Sequence, residues 1–169
     1  MTSGWILRPE FPDDWSAIDA VHEQAFGQPG EAKLVRALRS EATPYLALVA
    51  ERAGRVVGHI AFSPVEIEGG SPPALGLGPV AVEPGLQRAG IGSALVRAGL
   101  ERCATLAQIM VVLGHAAYYP RFGFRPAPPL GLRYRSLVFD PSFFVLELAP
   151  GALAGISGWV RYAEAFERS

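Results

Sequence analysis

The chain has 169 residues, 50% of them hydrophobic and 18% charged, with a formal net charge of -1. That length and apolar share suit one folded domain with a sizeable core, and the near-neutral balance speaks against a dedicated nucleic-acid surface, which depends on neutralising phosphates. No stretch approaches the ~18 apolar residues of a membrane span, no secretory signal is visible, and the lone Cys103 rules out an intramolecular disulfide, so a cytoplasmic protein is expected.

In chain order, "GWILRPE" reads as a first strand stopped by Pro9 and Pro12. "DDWSAIDAVHEQAF" reads as a helix capped by Asp13 or Asp14, with Trp15, Ile18, Val21, Ala25 and Phe26 at helical spacing. "GEAKLVRALRS" is a second helix, with Leu34, Val35 and Leu38 on one face. The run "YLALVAERAGRVVGHIAFSPVEIEG" gives two strands around a turn at Ala53 and Gly54. After a loop at 69–73, "ALGLGPVAVEP" is a strand whose glycines and prolines imply a bulge or a splayed section. An amphipathic helix is expected from about Ala89 to Ala107, and "QIMVVLG" follows as a buried strand. Strand, helix, strand makes a βαβ unit with a parallel pair and a right-handed crossover. "AAYYPRF" reads as a short helix or turn, "GFRPA" and "SFFVLELA" as strands, and residues 150–169 carry no clear pattern. Short connections among the early strands make the sheet mixed, so the class is α/β or α+β.

The stretch "VAVEPGLQRAGIGSALV", residues 80–96, puts Gly90 and Gly92 at the start of a helix. Glycine there costs about 1 kcal/mol of helix stability relative to alanine. The first amides of a helix lack internal acceptors, and the dipole makes that end positive. Glycines would let an anion reach them, and Arg88 adds charge. The competing reading is that they only let the helix approach the sheet. Neither a dinucleotide-binding fingerprint nor a P-loop is present.

This stretch resembles the acetyl-coenzyme A motif of the GNAT (GCN5-related N-acetyltransferase) superfamily, Gln/Arg-x-x-Gly-x-Gly/Ala, here Gln87-Arg88-Ala89-Gly90-Ile91-Gly92. "VLGHAAYYPRFGF" resembles the family's later segment, in which a tyrosine, here Tyr119, precedes Gly123-Phe124 by four residues, and the string looks like a bacterial subgroup of N-acetyltransferases. The resemblance covers roughly residues 4–128. It implies one domain over 1–169, with a C-terminal extension at 129–169. The implied sheet is mixed and mostly antiparallel, flanked by helices, with a parallel βαβ pair and splayed strands. It implies that the amides from Arg88 through Ala89, Gly90, Ile91 and Gly92 to Ser93 hold the coenzyme A pyrophosphate, beside Gln87. It places Val80, Ala81 and Val82 along pantetheine and Tyr119 near the sulfur.

Acetyl transfer needs a neutral amine and a stabilised thiolate. Tyr119 at its ordinary pKa is a hydrogen-bond donor to the thiolate, since full proton transfer is uphill by roughly 2 kcal/mol; it becomes an acid only if its pKa is lowered. Tyr118 reads as its packing neighbour. The base is open among His115, Glu66, Glu83, Glu31 and water; His115 has a suitable reference pKa and lies after a buried strand, though a structural role fits it as well. His22 and His59 have no supporting constellation in the sequence, Cys103 reads as a core residue, and no zinc spacing appears, so no metal is expected. The expected partners are acetyl-CoA and an amine-bearing small molecule or a peptide N-terminus. Segments 26–33 and 130–139, with Arg133 and Arg135, would form the acceptor side. A non-catalytic acyl-CoA-binding module, another acyl donor and a hydroxyl acceptor stay open, as does a homodimer.

Overall fold

The β-branched and aromatic runs all join one nine-stranded sheet within residues 4–169, which the computed structural model describes. In chain order the elements are β1 (Ile6–Pro9), α1 (Trp15–Phe26), α2 (Gly30–Glu41), β2 (Leu46–Arg52), β3 (Arg55–Ile67), β4 (Ala74–Val82), α3 (Ile91–Cys103), β5 (Ile109–Leu113), β6 (Arg125–Pro126), β7 (Leu132–Tyr134), β8 (Phe143–Glu147), β9 (Gly158–Tyr162) and α4 (Glu164–Arg168). The strands run in the order β1-β2-β3-β4-β5-β8-β6, with β9 pairing both β3 and β7. The pairs are antiparallel except β4 with β5 and β7 with β9. This is the mixed, mostly antiparallel class expected, and the βαβ pair is parallel.

Strand alternation sends neighbouring residues to opposite faces. Leu48, Ile60 and Phe62 pack with Leu95, Val96 and Leu100 of α3, while Val49 packs with Ile18 of α1 and Val35 of α2. The hairpin turn holds Ala53 and Gly54 at φ 50 and 77, the double left-handed turn that suits the twist of two strands.

Three details depart from the sequence reading. The Asp14 carboxylate does not cap α1: it accepts the Phe11 N–H at 2.7 Å and the Arg8 guanidinium at 2.8 and 2.9 Å, and residues 12–14 wind a 3-10 turn first. The third helix is shorter than 89–107, and Gly90 lies just ahead of it at φ 96. Residues 150–169 are not patternless: they supply β9 and α4, and β9 fills the sheet beside the second half of β3.

Candidate active site

The site grows from a fork between β4 and β5. They pair over Ala74–Leu77 and Ile109–Val112. The β3–β4 register then slips between Ile60 and Phe62, at a bulge where Gly78 has φ 130. Past the bulge Val80, Ala81 and Val82 bond to β3 alone, opposite Ile60, His59 and Gly58. Their other edge is left without a strand partner. It faces a cavity of about 630 Å³ lined by Leu77–Val82, the end of β5, Tyr118 and Tyr119 on one side and Phe26, Glu31 and Leu34 on the other. A linear amide chain laid in the fork would find strand-like donors and acceptors there.

The glycine turn closes one end. The first bond of α3 runs from the Ala94 N–H to the Gly90 carbonyl at 3.0 Å, so the amides of Ile91, Gly92 and Ser93 precede any intrahelical partner. A Cβ on Gly90 would meet nothing within 4 Å, and one on Gly92 only the Tyr118 hydroxyl at 3.6 Å and Val82 at 3.7 Å. The glycine that lets α3 approach the sheet is instead Gly99, where a Cβ would collide with the Phe62 ring. Helix packing therefore does not account for Gly92, whereas access to free amides does; Gly90 has the same open space and also the left-handed φ of 96 that favours glycine. A second cavity of about 490 Å³ lies over this turn, lined by Gln87, Arg88, Gly90, Gly92, Ser93, Tyr118 and Arg121. It shares Val82, Gln87, Gly92 and Tyr118 with the first. The Gln87 side chain donates to the Val82 carbonyl at 3.1 Å, which ties the turn to the end of β4. Two guanidinium groups and a row of free amides suit a diphosphate, and the fork suits an amide-bearing arm, so the residues present fit a coenzyme A-like ligand.

Tyr119 is buried, its ring seated on Gly114, where a Cβ would collide with it. Among the described residues nothing hydrogen-bonds its hydroxyl. Burial, with a smaller contribution from Tyr118, pushes its pKa up to about 12. The gap to a thiol near 8.5 thus widens to about 5 kcal/mol, which favours hydrogen-bond donation over full proton transfer. Tyr118 is more than a packing neighbour: its hydroxyl lies 3.0 Å from Ser93 Oγ, and its ring carries the Arg121 guanidinium at 4.6 Å and lines both cavities.

The base candidates separate. His115, exposed at the end of β5, and half-buried Glu31 line the main cavity. Glu66 does not: it is exposed, paired with Arg161 at 2.7 Å, and lines other grooves. Glu83 faces Arg55 at 3.2 Å, also outside the cavity lining. Arg133 pairs with Asp140 and Arg135 with Glu167, so neither reaches it. The lining includes Phe26, which opens the acceptor segment 26–33 expected from the sequence, and Tyr162 and Phe166, which the sequence reading did not single out. Tyr162 and Phe166 come from β9 and α4, where the alternation in "GWVRYAEAF" was the available signal.

His22 and His59 do have a constellation. His22 Nε2 and His59 Nδ1 lie 2.8 Å apart, and His59 Nε2 lies 2.8 Å from Glu10 Oε1. Tyr45 donates to the same oxygen at 2.9 Å, and Arg39 to Oε2 at 2.7 Å. Burial alone would raise the Glu10 pKa, but the hydrogen bonds from His59 and Arg39 outweigh it and hold it at about 2. Burial holds His22 down at about 3 and also lowers His59. An ionised Glu10 only accepts, so His59 Nε2 carries the proton. Neutral His59 then accepts at Nδ1 from His22 Nε2. The remaining lone pair, on His22 Nδ1, is buried without a partner.

The comparisons agree with the geometry. Residues 7–127 match the acetyltransferase (GNAT) domain family. The uncharacterized N-acetyltransferase YhbS of Escherichia coli (strain K12) is 39% identical over 165 residues, 96% of this chain and 99% of its own. A crystal structure of YhbS from Escherichia coli in complex with CoA superposes with a TM-score of 0.92 at 37% identity, covering 99% of this chain and 94% of that one. A GNAT family acetyltransferase from Brucella melitensis in complex with acetyl-CoA gives a TM-score of 0.80 at 38% identity, covering 98% and 99%. The overall fold is thus shared with these relatives, and the chain belongs to the GNAT acetyltransferase family.

Proposed function

We propose that this protein is an N-acetyltransferase that moves the acetyl group of acetyl-CoA to a primary amine. The observation that carries this reading is the continuity of three features: free amides at the glycine turn, an unpaired β4 edge, and a buried tyrosine at the far end of that edge. The pyrophosphate would rest on the amides of Ile91, Gly92 and Ser93 near Arg88. Pantetheine would bond to the edge from Val80 to Val82, and the thioester would lie near Tyr119.

In the transfer, the amine nitrogen bonds to the acetyl carbon, the C–S bond breaks, and coenzyme A leaves as a thiolate. Starting from an ammonium, the products are an amide, a thiol and one proton. A lysine-like ammonium costs about 4–5 kcal/mol to deprotonate at pH 7, an α-ammonium only about 1 kcal/mol. His115 and Glu31 line the cavity and would accept that proton, directly or through water. Tyr119 donates to the sulfur as negative charge develops there, and its raised pKa keeps it protonated throughout.

Free-thiol release from acetyl-CoA in the presence of mixed primary amines tests the reading. Amine-dependent release, with kcat lowered about 10–100-fold in Tyr119→Phe and KM for acetyl-CoA little changed, is the expected result. Binding without amine-dependent release would instead leave an acyl-CoA-binding module.

A further inference from the structure

The geometry points to the class of acceptor: a small primary amine with one positive charge and an apolar or aromatic body, lacking a carboxylate. This rests on the acetyltransferase reading above. The acceptor half of the cavity is bounded by the end of α1, the start of α2, β9 and α4, elements distinct from the glycine turn and the β4 edge. Among the described residues its walls are Phe26, Leu34, Tyr162 and Phe166, with Glu31 the one carboxylate of the lining, His115 beyond the end of β5, and neither lysine nor arginine. Phe26 is 42% exposed, an aromatic face left open toward this space. The Tyr162 hydroxyl is buried without a partner.

Charge bookkeeping over that lining selects the ligand. An ammonium has Glu31 to face. A carboxylate beside the amine, as in a free amino acid, would meet no lysine or arginine in the lining and the same Glu31 charge. A second ammonium, as in a polyamine, would find no second carboxylate among the described lining residues. The nearest further carboxylates, Glu164 and Glu167, line the adjoining groove, and Glu167 is already held by Arg135 and the Tyr162 N–H. A peptide would need the chamber to continue past α4. There Leu34 and Leu38 of α2 pack on Ala165, and Arg168 bridges to Glu41 at 2.8 Å, which closes the seam between α2 and α4 and leaves the charged groove of Glu164 and Glu167 beyond Tyr162.

Thiol release from acetyl-CoA can be compared across 2-phenylethylamine, L-phenylalanine, spermidine and a tetrapeptide with N-terminal phenylalanine. The expected order puts 2-phenylethylamine first in kcat/KM, by about 10-fold or more over each of the others. Glu31→Gln should raise its KM about 10-fold, and Phe26→Ala should do likewise, with KM for acetyl-CoA unchanged in both. If spermidine, phenylalanine or the peptide is preferred, or the two variants leave the amine KM unchanged, the acceptor class is wrong while amine acetylation stands. If acetyl-CoA binds and no amine in the panel accelerates thiol release, the acetyltransferase reading fails with it.

Discussion

The glycine turn and the Glu10–His59–His22 cluster are both concentrations of polar groups on one sheet, and they are finished differently. Around Glu10 the partners are supplied from within: both carboxylate oxygens and both His59 nitrogens are engaged, by side chains from α1, α2, β3 and the segments flanking β1 and β2. At the glycine turn three amides precede any intrahelical partner, Gly92 and Ser93 line a cavity, and the β4 edge ends without a strand neighbour among the described residues. The first arrangement fixes two helices on a sheet. The second is incomplete until something anionic and amide-bearing fills it. Buried polarity with partners marks architecture; polarity left open beside a cavity marks a ligand.

The contrast is sharpest when each region is broken in turn. Glu10→Ala leaves Arg39 and His59 buried without their acceptor and should cost about 3–5 kcal/mol of unfolding free energy in urea. At saturating acetyl-CoA the remaining folded protein should still turn over. Gly99→Ala drives a methyl into Phe62 and should cost about 1–3 kcal/mol. Gly92→Ala, with only ordinary contacts waiting, should leave stability within about 1 kcal/mol of wild type. Equal losses at Gly92 and Gly99 would erase the distinction between ligand glycine and packing glycine.

Acid should act on the buried cluster first. His22 and His59 titrate below their ordinary 6.5 in the folded protein, so under about pH 6.5 the unfolded chain binds protons that the native state refuses. Stability is then complete above pH 6.5 and falls as pH drops toward about 3, by up to about 1.4 kcal/mol per pH unit for each histidine. Glu10, held at about 2, adds a further loss below about pH 4.5. Urea titrations at pH 7.5 and 5 should show the drop. It should shrink in His22→Gln. A flat profile would mean that the histidines are not held neutral. The smallest effects belong to Glu66→Gln and Glu83→Gln: both carboxylates lie outside the cavity lining, and kcat should not change measurably.

The order of strands and helices up to residue 126 was legible because each element carries its own period and punctuation, such as Ala53-Gly54 between two β-branched runs. The glycine turn was legible for the same reason: its chemistry is local, within residues 80–96. What escaped is long-range. His22 meets His59 across 37 positions, and His59 meets Glu10 across 49, so no window of sequence holds the cluster. Glu66 and Glu83 stood among the open base candidates by residue type alone; only the pairing with Arg161 and Arg55 shows them turned elsewhere. β9 is as long as β5 and β8 but lacks their unbroken apolar run, and its place beside β3 depends on that strand outrunning β2. Asp14 misled in a smaller way, because Arg8 and the Phe11 amide outcompete the α1 amides for its carboxylate.

The most direct measurement is a calorimetric titration of acetyl-CoA into wild type and Gly90→Glu, with folding of both checked by circular dichroism. Glutamate at φ 96 costs some stability, and it places a side chain and a negative charge in space that is now open. The account predicts binding by wild type and at least about 100-fold weaker binding by the variant, from lost access and like-charge repulsion together. Equal affinities in two folded proteins would contradict it and return the glycine turn to the status of a chain reversal.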